Sequence, residues 1–281
     1  MQQREAFLKE IYYAAERDGK IMFLSADFGS PVLDLFRANL PAQFVHCGIS
    51  EQNMVNVAVG LALAGKKPYI FAMSPFFLRA YEQLKMAAMH GVPITIISVG
   101  AGLSYAGAGP THYATEDLAC YRTLVGTEVY TVSTANLAAS IARNSVESNK
   151  MMVVRLERGE TPEYYGDGYR AQEGYFHFNH PNDQQPHVTS GYLVHRLRER
   201  GHNVIDLYRC KPFPQRLVME LSEYAFVHCV EEQYAAGGLG SALMEAMGDA
   251  GKKTRIIRKT LPDRAIYENG TREQLLEAMA L

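Results

Sequence analysis

The sequence predicts an α/β protein of two domains, each built on a mostly parallel sheet with helices on both faces. Short, continuously apolar runs alternate with longer helical patterns over residues 1–160, and the alternation resumes over residues 187–281. Strands that are apolar along their whole length are typical of parallel sheets covered on both sides. The intervening residues 161–186 are rich in Gly, Pro, Asn and Asp, which predicts a surface linker with room for one short strand.

The elements predicted for the first domain follow one another in regular order. Residues 1–20 have the pattern of an amphipathic helix. The predicted strands are 21–26, 44–48, 67–72, 93–100, 128–133 and 151–157, and the predicted helices between them are 51–64, 75–89, 115–124 and 135–147. Because ligands bind at the carboxyl ends of parallel strands, we expect functional residues in the loops that follow these strands.

The second domain is smaller and repeats the alternation. Its apolar and helical segments are 190–201, 202–208, 225–232, 239–251 and 253–260, and a last helix is predicted from about Thr271. Within this domain, Glu231 and Glu232 end a predicted strand just before a glycine-rich turn. They could be catalytic, but that position suits a domain interface or a helix cap equally well.

The composition limits the class of protein. The chain has 281 residues, of which 47% are hydrophobic and 21% are charged, as in a folded globular protein. A formal charge of −2 argues against nucleic acid as the main partner. No apolar run is long enough to cross a bilayer, and the first residues lack a signal-peptide core, so we expect a cytoplasmic protein. The four cysteines are scattered, without metal-ligand spacing, and are expected to be reduced.

Glu51 is the first candidate functional residue, because it separates an apolar strand from an apolar helix in "FVHCGISEQNMVNVAVGL". One interpretation is a first-turn charge on a helix capped by Ser50. The apolar flanks favour a different one, since a buried carboxylate is costly unless something specific pairs with it. A carboxyl that burial keeps neutral can donate a hydrogen bond, and a heterocyclic nitrogen is a suitable acceptor.

Two further candidates follow later strands. Phe76 precedes a helix, where its ring could belong to the core or could stack on a flat ligand. His112 ends the glycine-rich loop "VGAGLSYAGAGPTH", where it could be structural or could act as an acid or base. The loop lacks the dinucleotide-binding fingerprint and the P-loop lysine. The sequence "GDG" at 166–168 lies in the linker, and the asparagines after it come too soon for a diphosphate-binding motif.

Four blocks of the sequence, in this order, resemble the C-terminal half of transketolase. They are "GISEQNMVNVAVGLALAGKKP", "FFLRAYEQLKMAA", "GPTHYATEDLACYR" and "VEEQYAAGGLGSA". The resemblance extends to 1-deoxyxylulose-5-phosphate synthase and to the β-chains of 2-oxoacid dehydrogenases. It implies a pyrimidine-binding domain over residues 1–160 and a transketolase C-terminal domain over residues 187–281.

The resemblance implies thiamine diphosphate as the cofactor. The glutamate that matches Glu51 hydrogen-bonds a nitrogen of the cofactor's pyrimidine ring and favours the imino form, which takes the proton from thiazolium C2. Phe76 matches the residue that stacks on the pyrimidine. Tyr81, in the same block, and Asp27, in "SADFGSP", are further expected cofactor contacts.

The resemblance also implies which residues bind the sugar. His112 matches a histidine near the substrate carbonyl, Arg158 matches the arginine that binds the phosphate end, and Ser30 lies in a loop that faces the substrate. Two positions depart from the family. Gly100 stands where many transketolases have a phosphate-binding histidine, and Ala108 stands where they have a hydroxyl-binding aspartate. We therefore expect an unusual ketose donor or acceptor.

The resemblance further implies a split enzyme that transfers a two-carbon ketol unit from a ketose to an aldose. A separate N-terminal-half subunit would hold the diphosphate and Mg²⁺, in an α2β2 assembly. Two alternatives stay open on the sequence. One is a half related to 2-oxoacid dehydrogenase β-subunits or deoxyxylulose-phosphate synthase, which the block "GPTHYATEDLACYR" disfavours. The other is a non-catalytic α/β assembly subunit.

Overall fold

The structure, a computed structural model, describes residues 1–26 and 29–281, so the predicted cofactor contact Asp27 lies outside the described residues. The strands are β1 (Ile21–Ser25), β2 (Phe44–His46), β3 (Lys67–Met73), β4 (Thr95–Val99), β5 (Glu128–Thr131), β6 (Met152–Leu156), β7 (Phe176–Phe178), β8 (Pro186–Thr189), β9 (Asn203–Asp206), β10 (Arg209–Lys211), β11 (Phe226–Tyr234) and β12 (Arg255–Leu261).

The helices are distributed between these strands along the chain. They are α1 (Gln3–Ala15), α2 (Pro31–Asn39), α3 (Glu51–Leu63), α4 (Ser74–Phe77), α5 (Tyr81–His90), α6 (Asp117–Arg122), α7 (Ala135–Glu147), α8 (Tyr192–Glu199), α9 (Gln215–Leu221), α10 (Leu239–Asp249) and α11 (Arg272–Ala278). In the part of the chain that the structure describes, none of them combines the length and apolar character that a membrane span requires.

The first sheet confirms the predicted parallel architecture. Within the described residues it has seven strands in the order β10-β5-β6-β4-β3-β1-β2, and every pair is parallel except β10 with β5. Every residue of β1, β4 and β6 is buried, because helices cover both faces of the sheet. That burial is the physical origin of the unbroken apolar runs in the sequence.

The second sheet has the same mostly parallel character. Among the described residues its order is β12-β11-β8-β9-β7, and only β7 is antiparallel to its neighbour. The two-sheet α/β fold is therefore confirmed. β7 comes from the predicted linker, and β10 leaves the second domain to pair with β5, so the domain boundaries at 160 and 187 stay predictions.

Several local features differ from the sequence prediction, among them β8, β10 and α9, which were not predicted. α2 was not predicted, although Ser30 caps it by accepting a hydrogen bond from the Val32 N–H at 3.3 Å and Pro31 opens it. The predicted helix 75–89 is divided, because a 3₁₀ turn at Leu78–Ala80 separates α4 from α5. All four cysteines are free thiols, as expected.

Candidate active site

Glu51 begins α3 and is buried, with 6% of its surface exposed. The chain reaches it from β2 through Gly48, whose φ of +68° lies in the left-handed region that favours glycine. The Ser50 hydroxyl does not cap the helix, because it donates to the Cys47 carbonyl at 2.6 Å. The structure therefore contradicts the predicted Ser50 cap but confirms that Glu51 lies in the first turn of the helix.

The Glu51 carboxyl faces an open groove of about 510 Å³. The groove is lined by Ile49, Ser50, Glu51, Gln52, Asn53, Asn56, Arg79 and Gln83. Among the described residues, the ion pair of Glu51 is with Arg79, at 3.5 Å, and the Arg79 side chain is 60% exposed. Gln83 contributes a buried Oε1 atom with no hydrogen-bond partner in the described part of the chain. The groove therefore offers a carboxyl and an amide to a polar ligand.

An aromatic row, formed by the rings of Phe76, His112 and Tyr105, leads away from this groove. The Arg79 guanidinium lies over the Phe76 ring, 5.2 Å from its centroid. The His112 ring meets Phe76 edge-on at 5.6 Å and lies 6.3 Å from the Tyr105 ring. Arg158 lies over the other end of the row, 4.7 Å from the Tyr105 centroid.

The structure therefore brings four of the predicted site residues into one continuous array. Glu51 and Phe76 both contact Arg79, and Phe76 contacts His112. The His112 Nδ1 atom lies 2.9 Å from the Thr111 hydroxyl, which orients the imidazole. Arg158 reaches the array through Tyr105. Their individual roles in binding and catalysis stay predictions.

Gly100 is explained by the ring of Tyr105. A Cβ at position 100 would lie 2.6 Å from two ring carbons of Tyr105, and the φ of Gly100 is +97°. The tyrosine ring therefore fills the space that a side chain at position 100 would need. Burial raises the pKa of Tyr105, and the nearby Arg158 offsets this only in part. Ala108, the other departure from the family, is exposed in the same loop.

Ser30 and Tyr81 have other contacts than those predicted. Ser30 is buried, and its hydroxyl donates to Glu5 at 2.8 Å while it caps α2. The Tyr81 hydroxyl shares a 2.5 Å hydrogen bond with Thr123. Neither lines the groove beside Glu51 in the described part of the chain. Both hydroxyls are thus engaged within the chain, and a substrate or cofactor role for either stays a prediction.

Sequence reasoning did not select Arg79, Gln83 or Tyr105 as site residues. A signal existed for the first two, because Phe76, Arg79 and Gln83 are separated by three and four residues, the spacing of one helix face. No comparable signal existed for Tyr105, because its position over Gly100 depends on how the glycine-rich loop folds.

A second group of charges lies between the two domains, and we call it the interdomain cluster. Arg272 donates to Glu157 at 2.7 Å and to Glu232 at 2.9 Å. Glu232 also accepts the Leu103 N–H at 2.8 Å, and Glu157 accepts the Ser104 hydroxyl at 2.5 Å. Burial alone would raise the pKa of Glu157, but Arg272 holds it below its usual value. Burial raises the pKa of Glu232 despite Arg272.

Glu231 has a structural role of a different kind. Its carboxylate accepts the N–H groups of Leu239 and Gly240, at 2.5 and 3.0 Å, where α10 begins. The sequence allowed a catalytic role, a helix cap or a domain interface for these two residues. In the structure, Glu231 caps α10 and Glu232 lies at the domain interface.

Two family models match the chain. The model described as "Transketolase, pyrimidine binding domain" matches residues 1–163, and the one described as "Transketolase, C-terminal domain" matches residues 194–281. Together they cover every strand of the two sheets except β7 and β8, and the segment that carries Glu51, the aromatic row and Arg158.

Several curated proteins are similar to the chain over most of its length. One subunit of the apulose-4-phosphate transketolase of Phocaeicola vulgatus is 28% identical, over 96% of this chain and 90% of that protein. "1-deoxy-D-xylulose-5-phosphate synthase" of Magnetococcus marinus is 30% identical, over 96% of this chain and 46% of that protein. "Transketolase" of Homo sapiens is 26% identical, over 87% and 42%. The chain thus spans less than half of the latter two.

A solved structure is similar over nearly the whole chain. It is described as "Split gene transketolase, inactive beta4 tetramer" and superposes with a TM-score of 0.85 at 26% identity, covering 99% of this chain and 93% of that one.

Proposed function

The chain belongs to the transketolase family. On that premise, we propose that it is one subunit of a split transketolase. The complete enzyme would transfer a two-carbon ketol unit from a ketose to an aldose. One observation carries the proposal. Glu51 is a buried carboxyl at the start of a helix, it faces an open groove, and its ion pair is a weak one with an exposed arginine. A carboxyl in that setting is suited to hydrogen-bond a ligand rather than to stabilise the fold.

The residues around the groove fit the aminopyrimidine ring of thiamine diphosphate. Glu51 would hold a hydrogen bond to a ring nitrogen, and Phe76 would stack on the ring. The buried Oε1 of Gln83, which has no partner among the described residues, is an available acceptor for an exocyclic amine. When bound, the cofactor supplies a nucleophilic carbon and an electron sink. We assign its diphosphate and Mg²⁺ to the partner subunit.

The aromatic row indicates where the sugar would bind. His112 lies between Phe76 and Tyr105, so its imidazole would be placed to hold or accept a proton from a hydroxyl of the sugar. Arg158 is exposed beyond Tyr105 and would bind an anionic end of the sugar, such as a phosphate.

Tyr105 supports the expectation of an unusual sugar. Its ring takes the space beside Gly100, and Ala108 offers no polar group to a donor hydroxyl. The relative from Phocaeicola vulgatus is named for apulose 4-phosphate, so that ketose belongs in the panel of donors to be tested.

A partner subunit would cover the face on which the groove opens. Ile49 is 73% exposed beside Glu51, and Met86 and Met89 on α5 are 48% and 63% exposed. α3 and α5 pack together, so these side chains give this face an apolar character typical of an interface. The description of the solved relative, an inactive tetramer of β chains, supports the need for a second type of subunit. We propose an α2β2 assembly in the cytoplasm.

The experiment is reconstitution with an N-terminal-half transketolase subunit. The complex is assayed for ketol transfer with thiamine diphosphate and Mg²⁺, using xylulose 5-phosphate, apulose 4-phosphate and pyruvate as donors. We expect turnover with a ketose phosphate, none with pyruvate, and none with either subunit alone. Turnover with pyruvate would favour the synthase-like or dehydrogenase-like alternative. An ordinary preference for xylulose 5-phosphate would contradict only the expectation of an unusual sugar.

A further inference from the structure

Three histidines and an aspartate meet at the amino-terminal edge of the second sheet, and we call them the histidine cluster. His228 of β11 pairs in register with His187 of β8. His202 directly precedes Asn203, which pairs with the first residue of β8. Three adjacent parallel strands therefore carry an imidazole each, within their first three residues or directly before them. Asp183, from the predicted linker, completes the group.

The polar atoms of this cluster are close enough to share one ion. The Asp183 Oδ2 atom lies 3.0 Å from Nδ1 of His202 and 3.5 Å from Nδ1 of His187. One ligand atom from each of Asp183, His187 and His202 lies within 4.8 Å of the others. The His187 ring is 4.2 Å from that of His202 and is stacked on that of His228 at 4.6 Å.

We propose that Asp183, His187 and His202 form a binding site for a divalent transition-metal ion, for which Zn²⁺ is the best match. Two imidazoles and one carboxylate form a donor set that Zn²⁺ commonly accepts, and harder ions such as Mg²⁺ prefer oxygen alone. An open polar groove beside Asp183, lined also by Asn179 and Asn203, leaves access for water as a further ligand.

The charges of the cluster suit a cation. Burial, together with the neighbouring His202 and His228, lowers the pKa of His187 to about 4, so that its imidazole is neutral at physiological pH. Burial would raise the pKa of Asp183, but the hydrogen bonds from His202 and from backbone N–H groups lower it below its usual value. A neutral imidazole and an ionised carboxylate are the protonation states that metal binding requires.

The surroundings hold the ligands in place before an ion arrives. The Gln185 N–H donates to the Asp183 carboxylate at 3.1 Å, and the Asn203 N–H donates to it at 3.2 Å. Nδ1 of His187 donates to the Gln185 carbonyl oxygen at 3.1 Å, and an ion bound at this nitrogen would displace that hydrogen bond. Because Asp183 belongs to the linker and the histidines belong to the sheet, a bound ion would fasten the linker to the second domain.

This site is separate from the candidate active site. Within the described residues, the lining of the groove at Glu51 includes no member of the histidine cluster, and the aromatic row contacts none of them. Parallel strands place their carboxyl ends, where ligands of such folds gather, at the edge opposite to this one. Metal binding here can therefore be tested without turnover.

The test uses the untagged full-length chain, titrated with Co²⁺ and Zn²⁺ after treatment with a chelator. We expect about one ion per chain by metal analysis after dialysis, and visible Co²⁺ absorption bands that Zn²⁺ removes. His202→Gln and Asp183→Asn should each weaken binding by about tenfold to 100-fold or more. Zn²⁺ should raise the unfolding temperature of the wild type but not of these variants.

His90→Gln is the matched control, because His90 is exposed at the end of α5. It should bind Co²⁺ like the wild type. Circular dichroism of the Asp183→Asn variant, which changes no side-chain volume, shows whether lost binding reflects lost folding. A wild type without stoichiometric Co²⁺ binding would overturn the proposal. So would binding that both ligand variants retain, or that His90→Gln abolishes to the same extent.

Discussion

The groove at Glu51 and the interdomain cluster both contain buried carboxyl groups, but the charged partners of these groups differ. Between the domains, Glu157 and Glu232 share the guanidinium of Arg272, which is itself only 13% exposed. In the groove, Glu51 has only the long contact with the exposed Arg79 among the described residues. A buried charge that loses its partner destabilises the fold, whereas a buried carboxyl that faces open space is available for a ligand.

Arg272→Met should have the largest effect on folding, because it removes the cation and leaves two carboxyl groups buried. We expect the free energy of unfolding to fall by about 3–5 kcal/mol, measured by urea denaturation. Arg37→Met is the control, since Arg37 forms a surface ion pair with Asp34 in α2, and it should change stability little. Equal changes in the free energy of unfolding for the two substitutions would show that the interdomain cluster does not stabilise the fold more than a surface ion pair does.

Asp206 offers a second, smaller test, because it is a buried carboxyl whose described partners are hydroxyl groups rather than a cation. Its Oδ2 atom accepts the Ser133 hydroxyl at 2.5 Å and the Tyr165 hydroxyl at 2.8 Å. Burial raises the pKa of Asp206 from 3.8 to about 7, and these hydrogen bonds lower it only in part. The folded state therefore binds a proton at the Asp206 carboxyl more tightly than the unfolded state does. The resulting stability is present below about pH 4 and is lost as the pH rises towards 7.

The corresponding measurement compares the wild type with Asp206→Asn, which cannot titrate. Between about pH 5 and pH 7, the unfolding free energy of the wild type should fall relative to that of the variant by about 2 kcal/mol. Only the difference in slope matters, so a constant cost of the substitution does not affect the test. Parallel stability curves would contradict a raised pKa at Asp206.

Phe76→Ala should have the smallest effect and should act on the cofactor rather than on the fold. Loss of a stacked ring is worth about 0.5–1.5 kcal/mol, so the apparent affinity of the reconstituted complex for thiamine diphosphate should fall by up to about tenfold. Tyr13→Ala, at a half-exposed aromatic residue of α1, is the control and should leave that affinity unchanged. An unfolding free energy that falls while the affinity stays constant would instead place Phe76 in the core.

Much of the fold could be predicted because burial leaves a simple pattern in the sequence. All six strands of the first domain were found at their predicted positions, and the helix predicted over 135–147 is α7. β7 agrees with the one short strand allowed for in the linker, but its position could not be assigned, and β10 was not predicted, because each has three residues and pairs antiparallel at a sheet edge. Such pairing depends on tertiary packing rather than on local pattern. α2 was missed although its Ser-Pro start is a local signal.

The sequence suggested candidate site residues where a residue type is unusual for its surroundings. Glu51 stands out as a charge within apolar sequence, and Phe76 and His112 follow strands of a parallel sheet. No sequence pattern indicates that the Tyr105 ring fills the space beside Gly100, because this contact depends on the path of a loop. The histidine cluster is equally hidden, since its members are distant in the sequence and meet only because β11, β8 and β9 are neighbours.

The most direct test of the contrast between the two regions is Glu51→Gln in the reconstituted complex, with Glu82→Gln, an exposed residue of α5, as control. We predict that thiamine-dependent ketol transfer falls by about 10²- to 10⁴-fold in the Glu51 variant, while its unfolding free energy and its assembly with the partner stay unchanged. Full turnover by the Glu51→Gln complex would contradict the proposal and would make this chain a non-catalytic assembly subunit.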